Sequence, residues 1–444
     1  MSGPLDGVRV IDLSAIISGP MATQILADQG ADVIKVEGPG PGDLVRYLGP
    51  QRNGVNAMFT AVNRNKRAIV LNLKAPEGRE ILIELVKTAD VFVENFRPGA
   101  IERLGLGYAT LKAINPGLVY VSMSGFGDTG PYAKRRVYDP VIQATSGFSD
   151  TQKNAVTGEP QLIQTLACDK TMAITAAQAI TAALYAKARG KGGRLVEINM
   201  LDSAIAFLWP DSFYNLVFEG DFNRSPDFSS FYSIRKTRDG YITMLAISDD
   251  EFRATCRAIG RPEIAEDPRF RTVMDRMQNA RVMTEMISEV VAGYATAEIT
   301  ARLEAEDVPH ARVLKREEVL SNEQVQANGS IGVFDDPRAG RMRVARSPAR
   351  FDGEPLPFRR PAPALGEHTN EVLQQIGKSD ADIARLRNAG AVACTLLDLP
   401  PVRDDPLVDQ RLRGLAFHLA VEDQHGKAVH ERPGAERRLA PHRG

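Results

Sequence analysis

The feature that most constrains this fold is the regular alternation of strand-like and helix-like segments over the first 125 residues. Helical patterns occur at 18–29, which begins with Ser18-Gly19-Pro20, and at 76–88. Short β-rich runs lie on either side of them, at 8–13, 32–37, 69–73, 91–94 and 118–122. Repeated β-α-β units with short connections predict an α/β fold, in which a mostly parallel sheet is covered by helices on both faces in Rossmann-like layers.

A dinucleotide site is a familiar use of such layering, but its glycine fingerprint is missing. After the first strand the chain reads Ser14-Ala15-Ile16-Ile17-Ser18-Gly19-Pro20, which is not G-x-G-x-x-G. The glycine cluster at 38–42 contains two prolines, which lack the N–H groups that a phosphate needs. The sequence therefore gives little support for a nicotinamide, flavin or ATP site.

The pattern changes after residue 220. Asp239-Gly240 lies between two β-rich runs, a hairpin signal, and helical patterns follow at 249–259, 280–291 and 297–304. We therefore predict that residues 1–220 form the first part of a large α/β domain, that a small α+β domain occupies 221–330, and that a return segment at 331–392 completes the large domain. Within the return segment, 335–363 reads as extended, and 369–376 and 379–388 read as closing helices.

The C-terminal residues 393–444 carry four of the six histidines and show little periodicity. This composition predicts a loosely structured tail. Its histidines and arginines could bind a metal or anions, but a solvated extension is the simpler interpretation.

The placement of histidine limits the available chemistry. No histidine precedes His310, so Ser-His-Asp and Cys-His nucleophile pairs cannot form within the first 300 residues. The sequence has no H-E-x-x-H or zinc spacing, and its three cysteines form no C-x-x-C, so no metal site is predicted. A net charge of −1 gives no reason to expect a nucleic acid partner.

Cysteine usage and the N-terminus bear on location. Three widely spaced cysteines are typical of a reducing compartment. The first residues lack the charged and apolar regions of a signal peptide, and no apolar run approaches the roughly 20 residues that span a membrane. We expect a cytoplasmic enzyme without a membrane partner.

Asp169 is the leading candidate for chemistry. It is the lone carboxylate of an apolar run, at the point where an extended segment meets a helix predicted over 171–188. A carboxylate at a helix start, with apolar neighbours that limit water, is a candidate nucleophile. The alternative is a plain N-cap, whose oxygen accepts from N–H groups of the first turn, and the local pattern alone favours this alternative.

Four blocks of sequence have a specific order and spacing. They are 4–13 continuing to 30–37, then 65–74, then 93–99 with 103–108 and 125–127, and finally 169–193. Together they resemble the class III CoA-transferase family, which includes formyl-CoA and carnitine CoA-transferases, over roughly residues 4–390. The resemblance implies a homodimer of two interlocked chains. Residues 335–363 fit such a dimer, and fit a monomer's domain linker equally well.

The resemblance implies covalent catalysis on Asp169. Its carboxylate attacks an acyl-CoA thioester, forms an aspartyl anhydride and releases CoA thiolate. The thiolate then forms an aspartyl-CoA thioester, and an incoming carboxylic acid reverses the sequence. Coenzyme A is a substrate in this scheme, and no permanently bound cofactor is needed.

The resemblance also implies a set of contact residues. The family's CoA contacts match Asn95, Arg103, Arg136 and Tyr138, and an acidic position near the nucleophile matches Asp139. Without the resemblance, Arg103 would be interpreted as a helix-surface charge and Arg136 as part of a solvated pair.

The chain departs from the formyl-CoA enzyme at three places. Ile17 replaces an amide near the active site, Gly38 replaces a basic CoA contact, and the covering run of glycines is absent around 229–232. These departures disfavour oxalate and formate as substrates. They favour a larger carboxylic acid, with succinyl-CoA as a donor.

Two other functions are alternatives to CoA transfer. An α-methylacyl-CoA racemase shares the fold but needs a histidine where this chain has Arg136-Val137-Tyr138-Asp139. A protein that binds CoA thioesters without turnover would have no need of Asp169.

Overall fold

The fold is built on a seven-stranded sheet. The computed structural model describes residues 3–154, 157–225 and 232–393. The strands are β1 (Arg9–Asp12), β2 (Asp32–Glu37), β3 (Gln51–Arg52), β4 (Val55–Asn56), β5 (Arg67–Leu71), β6 (Val91–Glu94), β7 (Val119–Ser124), β8 (Leu195–Asn199), β9 (Ile234–Lys236), β10 (Tyr241–Met244), β11 (His310–Arg312), β12 (Ile331–Asp336), β13 (Gly340–Ala345), β14 (Arg350–Phe351), β15 (Glu354–Pro355) and β16 (Val392–Ala393).

The α-helices are distributed along the whole described chain. They are α1 (Ser18–Asp28), α2 (Ala57–Asn63), α3 (Pro76–Lys87), α4 (Ala100–Arg103), α5 (Tyr108–Ile114), α6 (Asp139–Ser146), α7 (Phe148–Thr151), α8 (Ala167–Ala186), α9 (Met200–Ser212), α10 (Asp249–Ala258), α11 (Val273–Gln278), α12 (Ala280–Ala292), α13 (Thr296–Ala305), α14 (Arg316–Val319), α15 (Glu323–Ala327), α16 (Thr369–Gln375) and α17 (Asp380–Asn388). In the part of the chain that the structure describes, no helix is both long and apolar enough to cross a membrane.

The strand order of the large sheet is β16-β5-β2-β1-β6-β7-β8. All neighbours are parallel except the edge pair β16 and β5. The chain moves outward in one direction from β1 to β5 and then in the other from β6 to β8. This is the Rossmann order, so the predicted layering is confirmed, and the reversal between β1 and β6 creates a crevice at the carboxyl ends of the strands.

Both faces of the sheet are buried, because successive side chains of a strand point to opposite faces. Val10 belongs to one hydrophobic cluster, with α1, α8 and α9, whereas Ile11 belongs to a second, with α3, α5, α16 and α17. Phe92 and Tyr120 lie in the second cluster, and their strand neighbours lie in the first. The β-rich runs of the sequence are thus strands buried between two helix layers.

A third hydrophobic cluster lies within residues 242–308 and packs α10, α12 and α13 against the antiparallel sheet β11-β10-β9. The hairpin at Asp239-Gly240 is confirmed. The chain then returns to the large sheet, where α16 and α17 join the second cluster and β16 pairs with β5. The domain boundaries at 220, 330 and 392 stay a proposal, which the separate cluster supports.

The structure refines two sequence predictions. The segment 335–363, predicted as extended, contributes extended strands to two hairpins, β12 with β13 and β14 with β15. The helix predicted over 171–188 begins four residues earlier, as α8. The other long elements begin and end within two residues of the predicted bounds. The predicted tail lies outside the described residues.

Candidate active site

The candidate site lies at the carboxyl edge of the sheet, where the chain reverses between β1 and β6. Ala15 follows β1, and Asn95 follows β6. The Ala15 N–H donates to Asn95 Oδ1 at 2.9 Å, and Asn95 Nδ2 donates to the Ala15 carbonyl at 2.8 Å. The side-chain amide therefore binds the loop between β1 and α1 across the crevice.

Buried charges hold the rest of this loop. The Asp12 carboxylate accepts the Ser14 N–H at 3.0 Å, and Lys35 Nζ donates to the Ser14 carbonyl at 2.9 Å. Asp43 accepts the N–H of Ile16 and forms an ion pair with Lys35 at 2.9 Å. Lys35 is completely buried. Every N–H from Ser14 to Ile16 is thus bound by a side chain of another segment or of β1.

The next three N–H groups are different. Those of Ile17, Ser18 and Gly19 make no hydrogen bond within the residues that the structure covers. They form the start of α1, which has no side-chain cap, and all three residues are buried. Unpaired N–H groups at a helix N-terminus attract negative charge.

Asp169 lies beside them. It is the third residue of α8 and is only 8% exposed. The Ser18 hydroxyl donates a hydrogen bond to Asp169 Oδ1. Burial raises the pKa of Asp169 to about 6, and Asp139 adds to this, whereas the bond from Ser18 and the charge of Lys170 oppose it.

Asp139 explains why α8 begins before Asp169. Its Oδ2 accepts the N–H groups of Cys168 at 2.7 Å and Asp169 at 3.0 Å, so a carboxylate from α6 caps α8. Gln143 orients this cap, because its Nε2 donates to Asp139 Oδ1 at 2.5 Å. The N-cap interpretation of Asp169 is therefore wrong: Asp139 supplies the cap, and the Asp169 carboxylate is left for other contacts.

The predicted CoA contacts lie around the same edge. Arg103 ends α4, after β6, while Arg136 and Tyr138 follow β7. Gly125 makes room for this second segment, since a Cβ there would lie 2.1 Å from Val137 Cγ1. Arg103 and Arg136 are exposed, and neither makes an ion pair within the described residues. Tyr138 is 63% exposed and directly precedes Asp139.

Ser18, Asp43 and Gln143 were not identified from the sequence. A signal was available for the ion pair, because Lys35 is a charged residue within a strand that is otherwise apolar at its centre. No comparable signal marked Ser18, which reads as an ordinary helix start. Among the described residues, no group of three or more His, Cys, Asp or Glu is placed to hold a metal.

Comparisons with known proteins show which proteins this chain is similar to. A sequence model described as CoA-transferase family III matches residues 5–369. An acyl-CoA transferase of Fusarium pseudograminearum is 34% identical, over 88% of each chain. The succinyl-CoA:glutarate CoA-transferase of Mus musculus is 34% identical, over 85% of this chain and 87% of that protein. The crystal structure of a CAIB/BAIF family protein from Brucella suis superposes with a TM-score of 0.73 at 32% identity, over 85% of this chain and 100% of that one.

Proposed function

Because this chain belongs to CoA-transferase family III and is a CoA-transferase, we propose that it moves CoA from an acyl-CoA to a free carboxylic acid, with Asp169 as the covalent carrier. The observation that carries this proposal is the placement of Asp169. Its carboxylate is buried and accepts a hydrogen bond from Ser18, which lies at the start of α1, where three N–H groups are unpaired among the described residues.

The proposed reaction has two exchanges at Asp169. An oxygen of the carboxylate attacks the thioester carbon, the C–S bond breaks, and CoA leaves as a thiolate from an aspartyl anhydride. The thiolate adds to Cγ of Asp169, the donor acid leaves as a carboxylate, and an aspartyl-CoA thioester remains. An acceptor carboxylate reverses both steps and departs as the new acyl-CoA.

The local electrostatics support these steps. A pKa of about 6 leaves Asp169 ionised at neutral pH, and its burial removes water that would weaken the nucleophile. Each addition creates an oxyanion that needs hydrogen-bond donors already in place. The N–H groups of Ile17, Ser18 and Gly19 are the available donors beside the carboxylate.

We propose that the exposed guanidinium groups of Arg103 and Arg136 bind CoA phosphates, and that Tyr138 packs on the nucleotide. Asn95 can offer CoA fewer hydrogen bonds than a free side-chain amide could. Its amide already binds both backbone groups of Ala15, which leaves one N–H and one lone pair for CoA. Asp139 acts through α8, whose first turn it holds.

The substrates follow from the departures at Ile17 and Gly38 and from the activity named for the Mus musculus relative. We propose succinyl-CoA as a donor and a dicarboxylic acid of similar length as an acceptor. We also propose a cytoplasmic location, since Cys168 and Cys256 are buried free thiols.

Racemisation is not supported. It needs an acid or base on each side of the substrate. The two histidines in the described residues are His310, which lies in β11, and His368, whose Nδ1 accepts the N–H of Ala68. Neither is a partner for Asp169.

Trapping tests the proposed function. Incubation with succinyl-CoA in the absence of an acceptor should add one CoA, less one water, to the protein. The adduct should map to the peptide that contains Asp169 and should be released by hydroxylamine, which cleaves thioesters. An unmodified protein, or an adduct on another residue, would remove Asp169 from the mechanism.

We further propose that the enzyme is a homodimer. The dimer contact that we propose is the α8–α9 surface, defined as exposed apolar side chains of α8, α9 and the turn that follows, because exposed apolar patches mark interaction sites. Its members are exposed by 46–68%: Ile174, Tyr185, Phe207, Trp209, Leu216 and Phe218. A second copy of the chain is the proposed cover.

The rate of subunit exchange tests whether the two chains of the dimer interlock. If the two chains interlock, subunit exchange requires partial unfolding, so tagged and untagged dimers should stay unmixed for hours in native mass spectrometry. Phe207→Glu should weaken the dimer, whereas Phe351→Glu, at an exposed apolar side chain of β14, should not. An active monomer of the wild type at low concentration would disprove the dimer, and rapid mixing would disprove interlocking.

A further inference from the structure

Ser18 is the side chain that contacts the reacting carboxylate of Asp169 most directly, although 151 residues separate them. Ser18 is the first residue of α1 and is 3% exposed. A hydroxyl can donate one hydrogen bond, and the hydroxyl of Ser18 donates its hydrogen bond to Asp169 Oδ1. The contact therefore distinguishes the two carboxylate oxygens, and leaves Oδ2 for attack on a substrate.

The position of Ser18 is fixed by the loop before it. Ile16 has a φ of 71°, which is costly for a β-branched residue. This conformation persists because Asp43 accepts the Ile16 N–H and Asn95 binds both backbone groups of Ala15. Asp43 is held in turn by Lys35 at 2.9 Å. Strain that the surroundings maintain is a common feature of active sites, and here it aims Ser18 at Asp169.

We infer that Ser18 is a hydrogen-bond donor in the reaction, which holds Oδ1 of Asp169 and stabilises the oxyanion that forms on it. The inference rests on the proposed function. When CoA thiolate adds to Cγ, the C–S bond forms and the C=O electron pair moves onto Oδ1. When the oxyanion collapses, the Cγ–Oδ2 bond breaks and Oδ2 leaves with the donor acid. Ser18 keeps its proton throughout and donates to Oδ1 at each stage.

This role predicts a defined change in pH dependence. Only the carboxylate of Asp169 attacks, so activity is lost as the pH falls through its pKa, which is about 6. The bond from Ser18 lowers this pKa, and its loss raises it further. The other groups that face the carboxylate are Asp139 from α6, which raises the pKa, and Lys170 of α8, which lowers it. Both stay in place when Ser18 is changed.

The test is Ser18→Ala, with Thr171→Val as the matched control. Thr171 lies on α8 two residues after Asp169, but among the described residues its hydroxyl bonds only the Ala167 carbonyl. Alanine is a good helix former, so α1 should persist in the variant. Turnover is normalised to the fraction of protein that forms the hydroxylamine-sensitive CoA adduct, so misfolded protein is not counted.

For Ser18→Ala we expect kcat to fall by about 10²-fold, as on loss of one oxyanion donor, with KM for the acyl-CoA nearly unchanged. We also expect the acid limb of the kcat/KM profile to move to higher pH. Thr171→Val should match the wild type in both. Wild-type kcat in Ser18→Ala, or a slow variant whose acid limb does not move, overturns the role of Ser18. A wild type that forms no adduct overturns the proposed function instead.

Discussion

Asp169→Asn should abolish CoA transfer, lowering kcat by about 10³-fold or more, because an amide neither attacks a thioester nor forms an anhydride. The substitution keeps the size of the side chain and can still accept the hydrogen bond from Ser18. The phosphate contacts proposed for Arg103 and Arg136 are unaffected, so CoA affinity measured by calorimetry should be retained. Fresh protein is needed, and mass spectrometry should confirm that no asparagine has deamidated.

The melting temperature of Asp169→Asn distinguishes loss of the carboxylate from unfolding of the protein. Burial raises the pKa of Asp169, so the ionised carboxylate opposes folding once the pH exceeds the ordinary pKa of an aspartate, and the penalty is complete above about pH 6. Asparagine carries no such charge. The inactive variant should therefore melt at the same temperature as the wild type or higher at pH 7.5. Retained transfer would contradict the nucleophile assignment, and a melting temperature below that of the wild type would contradict the predicted burial penalty.

The sheet could be predicted from the sequence because its strands are short apolar runs buried on both faces. β2 and β6 have the predicted bounds, since local composition alone defines them. β5 begins two residues before the prediction, at Arg67. That residue reads as a loop charge, yet it pairs with Asp32 of β2 and with Glu371 of α16. Partners distant in sequence decide such a boundary, and a local pattern cannot contain them.

The candidate site likewise combines a residue that the local sequence indicates with contacts that it cannot indicate. Asp169 stands out locally as a lone carboxylate in an apolar run, and the family resemblance gives it a role. Its hydrogen bond from Ser18 and the cap from Asp139 come from α1 and α6. Both contacts exist only after the helices pack on the sheet. Sequence analysis, with the family resemblance, could therefore single out Asp169 and Asp139, but not Ser18 or Gln143, which contact them.

The buried ion pair below the β1–α1 loop should make Asp12→Ala strongly destabilising, by about 3–5 kcal/mol in the free energy of unfolding. Asp12 accepts from Lys66 Nζ at 3.0 Å, Thr23 Oγ1 at 2.6 Å and the Ser14 N–H at 3.0 Å. Asp12 and Lys66 are completely buried. Removing the carboxylate leaves the Lys66 ammonium group and the hydroxyls of Thr23 and Ser14 in the interior with fewer partners. Denaturant unfolding measures the loss, and Glu84→Ala, which breaks an exposed pair with Lys87, should cost no more than about 0.5 kcal/mol.

A double-mutant cycle with Lys66→Met distinguishes pairing from a general packing defect. If the charges stabilise each other, the double variant should be more stable than the sum of the single effects predicts, by about 0.5–3 kcal/mol. Additive losses would show that the pair is not coupled. The cycle also links stability to catalysis, because Asp12 holds Ser14 at the start of the loop that aims Ser18. Asp12→Ala should therefore slow transfer even at temperatures where it stays folded, whereas Glu84→Ala should leave transfer unchanged.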